Sequence, residues 1–186
     1  MILEPIIQRF HAALPSVRQW IDHFVDDHAA QARAVSTLGF GRLSTCFPRE
    51  VLQHAKVVTL PCVPFPPVDR FGLPELAPIQ RMSFAGITFK DTFFIQQGHG
   101  SESLHFHEMV HIVQWARLGV DNFLLAYGVG LLQFGYEQSP LEQMAYTLQA
   151  SFDNDSLPEG LVSVIETRTD AIWSQVAPVV DASGGA

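Results

Sequence analysis

The stretch SLHFHEMVHIVQW, residues 103–115, decides how this chain is interpreted. It contains His107, Glu108 and His111 in the order H-E-x-x-H. Successive residues of an α-helix are rotated by about 100°, so side chains four positions apart lie on nearly the same face, one turn apart. If this stretch is helical, its two histidines therefore project together and can share one ion.

The spacing of the motif suits one Zn²⁺ ion. Two neutral imidazoles are ordinary zinc ligands, whereas a glutamate one position along the helix is rotated away from them. Glu108 is therefore predicted to be the catalytic residue, a base that takes a proton from the zinc-bound water. His107 and His111 are predicted to be metal ligands.

The same stretch also has the pattern of a buried core helix. Met109, Val110 and Ile112 would form its apolar side, and the histidines would then be hydrogen-bonded core residues with no metal. Both interpretations require a regular helix. We predict Ser103 as its N-cap and Gly119 as its C-terminal stop.

A catalytic zinc site takes three protein ligands and leaves one position open. The metzincin arrangement needs glycine at position 114 and histidine at position 117, but these residues are Gln114 and Arg117, so it is excluded. A glutamate on a following helix is the usual alternative, and the candidates are Glu137, Glu142, Glu159 and Glu166. Glu142 is the best placed, because its helix would return antiparallel to the motif helix.

Glu142 also fits a purely structural role. Residues 139–142, Ser-Pro-Leu-Glu, match a capping box with proline at the first helical position. In that role the carboxylate would bond the Ser139 amide. The local sequence leaves the metal ligand and the cap open as alternatives.

The chain is predicted to be a single domain over residues 1–180, followed by a disordered tail at 181–186. Residues 1–36 have the pattern of N-terminal helices, and residues 103–152 that of the metal-site helices. Six of the 12 prolines lie within residues 61–78, which excludes a regular helix or a central strand there.

Two short β-rich runs, 87–89 and 92–95, flank Lys90-Asp91, which predicts a hairpin. Helices, a little strand and then helices again indicate an α+β fold, with a small, mostly antiparallel sheet beside a mainly helical body.

Composition excludes several function classes. The formal net charge is −8 and the basic residues are scattered singly, so no nucleic-acid partner is predicted. The most apolar segment, 123–132, is about half as long as a membrane span. No signal-peptide pattern is visible, and Cys46 and Cys62 are expected to be reduced, so we predict a cytoplasmic protein.

The run from Leu104 to Ala150 resembles an uncharacterised bacterial family of gluzincin-type zinc metallopeptidases. Its members carry H-E-[LM]-V-H-x-x-Q, then L-G-V, then G-Y-E-x-x-P-L-E-x-x-A-Y, and all three elements occur here. The resemblance covers roughly residues 40–152. It implies a compact gluzincin-like (zincin) domain with zinc on His107, His111 and Glu142. The N-E-x-x-[SA]-D motif of the well-studied gluzincins is absent from this chain. This difference concerns the third ligand, Glu142, and neither of the two histidines.

Three further residues are candidates around the metal. Tyr146 lies one turn beyond Glu142 and could donate to an oxyanion or to Glu142 itself, although an aromatic anchor between helices is the alternative. Gln114 could orient a ligand from behind. His99, in the loop before the motif helix, is a further candidate, and a solvated loop histidine is the alternative.

Together these residues predict a zinc-dependent metallopeptidase that hydrolyses a peptide or protein substrate. Glu108 would take a proton from the zinc-bound water and pass it to the leaving amine. The alternative is a non-catalytic metal- or peptide-binding protein on a peptidase-like scaffold, with the fourth coordination position closed. A third possibility is a chain without metal. The sequence leaves substrate specificity and oligomeric state open.

Overall fold

The computed structural model describes residues 3–184. The helices in this range are α1 (Leu3–Asp27), α2 (Leu43–Cys46), α3 (Arg49–His54), α4 (Ala77–Gln80), α5 (Glu102–Phe134), α6 (Pro140–Asp153) and α7 (Leu161–Gly184). The strands are β1 (Arg33–Ala34), β2 (Lys56–Leu60), β3 (Gly86–Phe89) and β4 (Thr92–Gln96). Short 3₁₀ turns lie at Ala29–Gln31, Val35–Thr37 and Pro74–Leu76.

The predicted α+β fold is confirmed: a mainly helical body packs against one small sheet. The four strands lie in the order β1-β2-β4-β3. β1–β2 and β3–β4 are antiparallel, while β2 and β4 pair in parallel, from Lys56 opposite Thr92 to Leu60 opposite Gln96. The predicted hairpin at Lys90-Asp91 is present, and Lys90 takes the left-handed conformation (φ 59°) that tight hairpin turns use.

Both ends of the chain differ from the prediction. Residues 1–36 are not all helical, because α1 ends at Asp27 and Arg33–Ala34 pairs with β2 as an edge strand. The sheet offers these two residues hydrogen bonds that the local sequence does not reveal. The predicted disordered tail, 181–186, is wrong for residues 181–184, which belong to α7. Residues 185 and 186 lie outside the described range.

The proline-rich connection, residues 61–78, follows an irregular path, as predicted, until it ends in short helical turns. Pro74 and Pro78 occupy first-turn positions of those turns, where a missing N–H costs nothing. Val63, Val68 and Leu73 of this connection are buried in the core. The segment is therefore a wall of the domain and not a loose linker.

Helix α5 carries the motif and bends in the middle. Gly119 has φ 72°, in the left-handed region that favours glycine, so the helical geometry is interrupted where a stop was predicted. The N-cap is Ser101 and not Ser103: the Ser101 hydroxyl accepts a hydrogen bond from the Leu104 amide at 3.2 Å. The bend separates a first half with buried polar residues from an apolar second half.

The core consists of two clusters that share α5 and β4. Side chains of β4 alternate between the two clusters. Phe94 packs in the cluster that contains the buried residues of α1, while Phe93 and Ile95 pack in the cluster that contains most of the buried residues of α6. Within residues 3–184, every helix falls short of the length or apolarity that crossing a membrane requires.

Candidate metal centre

Three buried side chains converge inside the domain. They are His107 and His111 from α5, and Glu142 from the first turn of α6. The two imidazole Nε2 atoms lie 3.2 Å apart. Glu142 Oε2 is 3.3 Å from Nε2 of His107 and 3.5 Å from Nε2 of His111. Ligand atoms bound to Zn²⁺ at 2.0–2.1 Å in a tetrahedron lie about 3.3 Å from one another, so the three spacings match that geometry.

The buried oxygen of Glu142 provides an independent test of whether these residues fit a metal. Oε1 accepts a hydrogen bond from the Tyr127 hydroxyl at 2.6 Å. Oε2 is buried and has no hydrogen-bond partner. In the metal-free protein a proton on His111 offsets part of the cost of burying this carboxylate, and a cation between it and the two imidazoles would replace that proton. The group could therefore hold a metal ion.

Amide side chains hold both imidazoles from behind. His111 Nδ1 lies 2.8 Å from Oε1 of Gln114, and His107 Nδ1 lies 3.0 Å from Oε1 of Gln149. An amide oxygen can only accept, so each Nδ1 carries a proton, and Nε2 is the ring atom that binds a metal once it is deprotonated. Gln114 is itself fixed by donating to the Leu141 carbonyl at 3.1 Å. This is the arrangement in which histidines bind metals.

The capping box considered for Glu142 does not form. The Ser139 amide donates to the Tyr136 carbonyl at 3.2 Å, and the buried Ser139 hydroxyl has no hydrogen-bond partner. Ser139 is still the N-cap residue of α6 by position. The carboxylate of Glu142 instead faces the histidines, because antiparallel packing of α6 on α5 brings the two helix faces together.

Glu108 lies beside this group and is held by the edge strand β3. The Thr88 hydroxyl donates to Glu108 Oε2 at 2.7 Å. The other oxygen lies against the backbone of Gly86, where a Cβ atom would come within 2.3 Å of Oε1. The position of the carboxylate thus depends on there being no side chain at residue 86. Burial raises the pKa of Glu108 above its usual range.

His111 and Glu142 shift each other's pKa in opposite directions. Burial alone would lower the pKa of His111, but the Glu142 carboxylate next to it raises that pKa to about 9. Burial alone would raise the pKa of Glu142, but His111 and His107 outweigh burial and hold it well below its usual range. Glu142 is therefore ionised at neutral pH, as a metal ligand must be.

The other three predicted site residues lie in different places relative to the metal group. Gln114 lies behind His111 as expected. Tyr146 lies against His107, with ring centroids 4.7 Å apart, and is 39% exposed. Of the two donor roles considered for Tyr146, the hydrogen bond to Glu142 is made by Tyr127 instead. His99 is exposed in the loop before α5 and does not belong to the group.

Three contributors were missed by the sequence analysis: Tyr127, Gln149 and Thr88. Gln149 follows Glu142 by seven positions, two helical turns, so the period of α6 could have placed it on the same face. Tyr127 and Thr88 have no such local signal. They reach the site only because the second half of α5 and strand β3 pack against it.

A scan against protein-family models and searches of curated proteins and of solved structures find no match for this chain. The function is therefore argued from the geometry of the site.

Proposed function

We propose that this protein is a zinc-dependent metallopeptidase in which His107, His111 and Glu142 hold Zn²⁺ and Glu108 is the general base. One observation carries this proposal: three ligand atoms lie at tetrahedral zinc spacing beside a buried carboxylate from the next helical position.

The donor set favours zinc over calcium and magnesium. Two imidazoles and one carboxylate form a typical catalytic zinc triad, with one coordination position left for water or substrate. Calcium and magnesium prefer all-oxygen sites with six or more ligands. The nitrogen-rich group of this chain is a poor match for either ion.

When bound, Zn²⁺ supplies Lewis acidity that polarises a carbonyl group and lowers the pKa of water to about 7. Glu108 takes one proton from the attacking water, whose oxygen bonds to the carbonyl carbon. The C–N bond then breaks, and Glu108 returns the proton to the leaving nitrogen. The second hydrogen of the water stays on the new carboxyl group, so the products are a carboxylic acid and an amine. The raised pKa of Glu108 suits both transfers, since it brings that carboxyl nearer to neutral pH.

Two neighbours assist in this proposal. Thr88 holds Oε2 of Glu108, so the carboxylate keeps one orientation during both proton transfers. Tyr146 is proposed to donate to the substrate carbonyl oxygen as it becomes negative. Its half-exposed ring beside His107 supports this role.

The decisive experiment compares the wild type with Glu108→Gln. We expect the variant to keep one equivalent of zinc, measured by elemental analysis after purification without added metal, and to lose peptide hydrolysis by at least about 10³-fold. The matched control is Glu137→Gln, an exposed carboxylate outside the site, which should stay fully active.

Two outcomes contradict the proposal. Normal hydrolysis in Glu108→Gln would exclude Glu108 as the base. A wild-type protein that binds zinc but cleaves no member of a diverse peptide library would favour the non-catalytic alternative.

A further inference from the structure

An apolar cleft opens directly beside the metal group. About 760 Å³ of empty space lies between its walls and in the solvent at its mouth. Its walls come from α1, the proline-rich connection, strand β3 and the second half of α5. Glu108, His111 and Glu142 also line it, so a ligand in this cleft would lie next to the reacting groups.

The side chains that line the cleft disfavour a negatively charged ligand group. Among the described residues that form it, Glu108, His111 and Glu142 are the ones that can carry charge, and none is lysine or arginine. A negatively charged group placed among the apolar walls would lose its hydration without gaining a counter-ion from a lysine or arginine. An uncharged apolar group would gain free energy by leaving water.

Helix α1 supplies one whole wall. Phe10, Leu14, Val17 and Ile21 line the cleft, and their spacing of three to four residues forms one stripe of the helix. The contact with α5 is close, since a Cβ atom at Gly128 would lie 2.2 Å from the Phe10 ring.

Ion pairs link α1 to three neighbouring segments. Arg9 pairs with Glu75 in the proline-rich connection, Arg18 pairs with Asp121 on α5, and Asp22 pairs with Lys90 in the hairpin. The stripe on α1 therefore faces the cleft in a defined register. Helix α1 lies outside residues 40–152, the range of the family resemblance. The apolar wall that it forms is therefore inferred from the structure of this chain alone.

We propose that the cleft binds a large, uncharged apolar group of the substrate beside the hydrolysed bond, and that Leu14 and Val17 of α1 set this preference. The reaction part of this inference rests on the proposed function, but the binding part does not. An aromatic side chain and a long aliphatic chain share the required chemistry, and the test distinguishes them.

The first test uses chelator-treated protein, so that metal plays no part. Titration calorimetry measures binding of octanamide, 3-phenylpropanamide, acetamide and the negatively charged glutaramate. We expect at least one of the two apolar amides to bind at least about 50-fold more tightly than acetamide, the effect of burying about three methylene groups. Their order identifies the aliphatic or the aromatic group as the better ligand. Equal binding of all four amides would overturn the proposal.

The second test assigns the preference to α1. Leu14 is half-buried at the cleft, so a lysine there could extend its ammonium group to water. We expect Leu14→Lys to weaken binding of the better apolar amide at least about tenfold and to strengthen binding of glutaramate. Leu14→Ala should weaken the apolar amide severalfold without adding charge, which covers the case that the lysine variant does not fold.

The matched control is Ala12→Lys, on the exposed side of the same helix, which should leave every affinity unchanged. Wild-type affinities in both Leu14 variants would overturn the role of α1.

The third test separates this inference from the proposed function. Zinc-loaded protein is given peptides that carry Phe, Leu, Ala or Asp next to the cleavable bond. Preference for Phe or Leu by at least about tenfold supports the inference. Cleavage without that preference overturns the inference and leaves the proposed function standing. Tight binding of an apolar amide without any cleavage supports the inference and counts against the proposed function.

Discussion

The two halves of α5, which meet at the interruption at Gly119, serve different purposes. Before Gly119, buried polar side chains line one face, and His107, His111 and Glu108 are each paired with a specific partner. After Gly119 the buried residues are almost all apolar, and Tyr127 is the one whose hydroxyl reaches back to the metal group.

The difference shows which changes each half can tolerate. A polar site depends on single hydrogen bonds and on atoms held to a few tenths of an ångström, because an unmatched buried polar group is costly. An apolar wall depends on volume and shape, and it adapts to similar side chains. Small substitutions should therefore damage the first half of α5, whereas the second half, apart from Gly128 and Tyr127, should tolerate exchanges between similar apolar side chains.

The largest effect is expected from His111→Ala. Loss of one imidazole leaves two ligands, which should reduce bound zinc to below about a tenth of an equivalent and hydrolysis by at least about 10³-fold. Elemental analysis and a peptidase assay measure both. His105→Gln is the matched control, because His105 is a buried histidine of the same helix that bonds the Ser101 carbonyl and lies outside the group. Full zinc content in His111→Ala would disprove the assignment of ligands.

Gly86→Ala should separate activity from folding. The new methyl group would overlap the carboxylate of Glu108, which must then move away from its hydrogen bond with Thr88. We expect hydrolysis to fall by about 10²-fold, with zinc retained and the free energy of unfolding lowered by about 1–3 kcal/mol. Gly100→Ala, where a Cβ atom meets nothing within 4 Å, is the control. Unchanged hydrolysis in Gly86→Ala would mean that the position of Glu108 does not matter.

The stability of the metal-free protein should depend on pH through His111. Its pKa is raised to about 9 by Glu142, so its proton stabilises the fold fully below about pH 6.5, and this contribution is lost as pH rises through about 9. We expect the free energy of unfolding, from denaturant titration, to fall by about 3 kcal/mol between pH 6.5 and 9.5.

Bound zinc, which needs neutral imidazole, should abolish that decline, and Glu142→Gln should reduce it. A flat profile in the metal-free wild type would be evidence against the His111–Glu142 pair.

The smallest effect is expected from Tyr127→Phe. Removing the hydroxyl frees Oε1 of Glu142 and loosens the orientation of that ligand, so zinc affinity should fall by about tenfold. Competition with a chelator measures the affinity. Tyr146→Phe is the control for this measurement, because Tyr127 and not Tyr146 bonds Glu142. Equal affinities in the two variants would show that the hydrogen bond does not support the metal.

Local patterns predicted a good part of this protein. The helical period places His107 and His111 on one face, and two β-rich runs around Lys90-Asp91 predict the hairpin. Both follow from backbone geometry within a few residues. The interruption at Gly119 was predicted because glycine readily takes the left-handed conformation.

Features that depend on distant neighbours were harder to predict. Residues 139–142 satisfy a capping box in sequence, yet the carboxylate of Glu142 lies with the histidines because packing of α6 on α5 offers it a better environment. Arg33–Ala34 forms a strand only because β2 lies beside it. The roles of Tyr127 and Thr88 likewise come from elements that pack on the site from elsewhere in the chain.

The sequence by itself determined that a helix presents two imidazoles one turn apart with a carboxylate between them, since that spacing follows from the pitch of the helix. Only the tertiary structure decided that Glu142 completes the group, that β3 holds Glu108, and that α1 closes an apolar cleft beside it. These contacts join residues far apart in the chain, and their energies come from burial and hydrogen bonding that exist only after the helices and the sheet have packed.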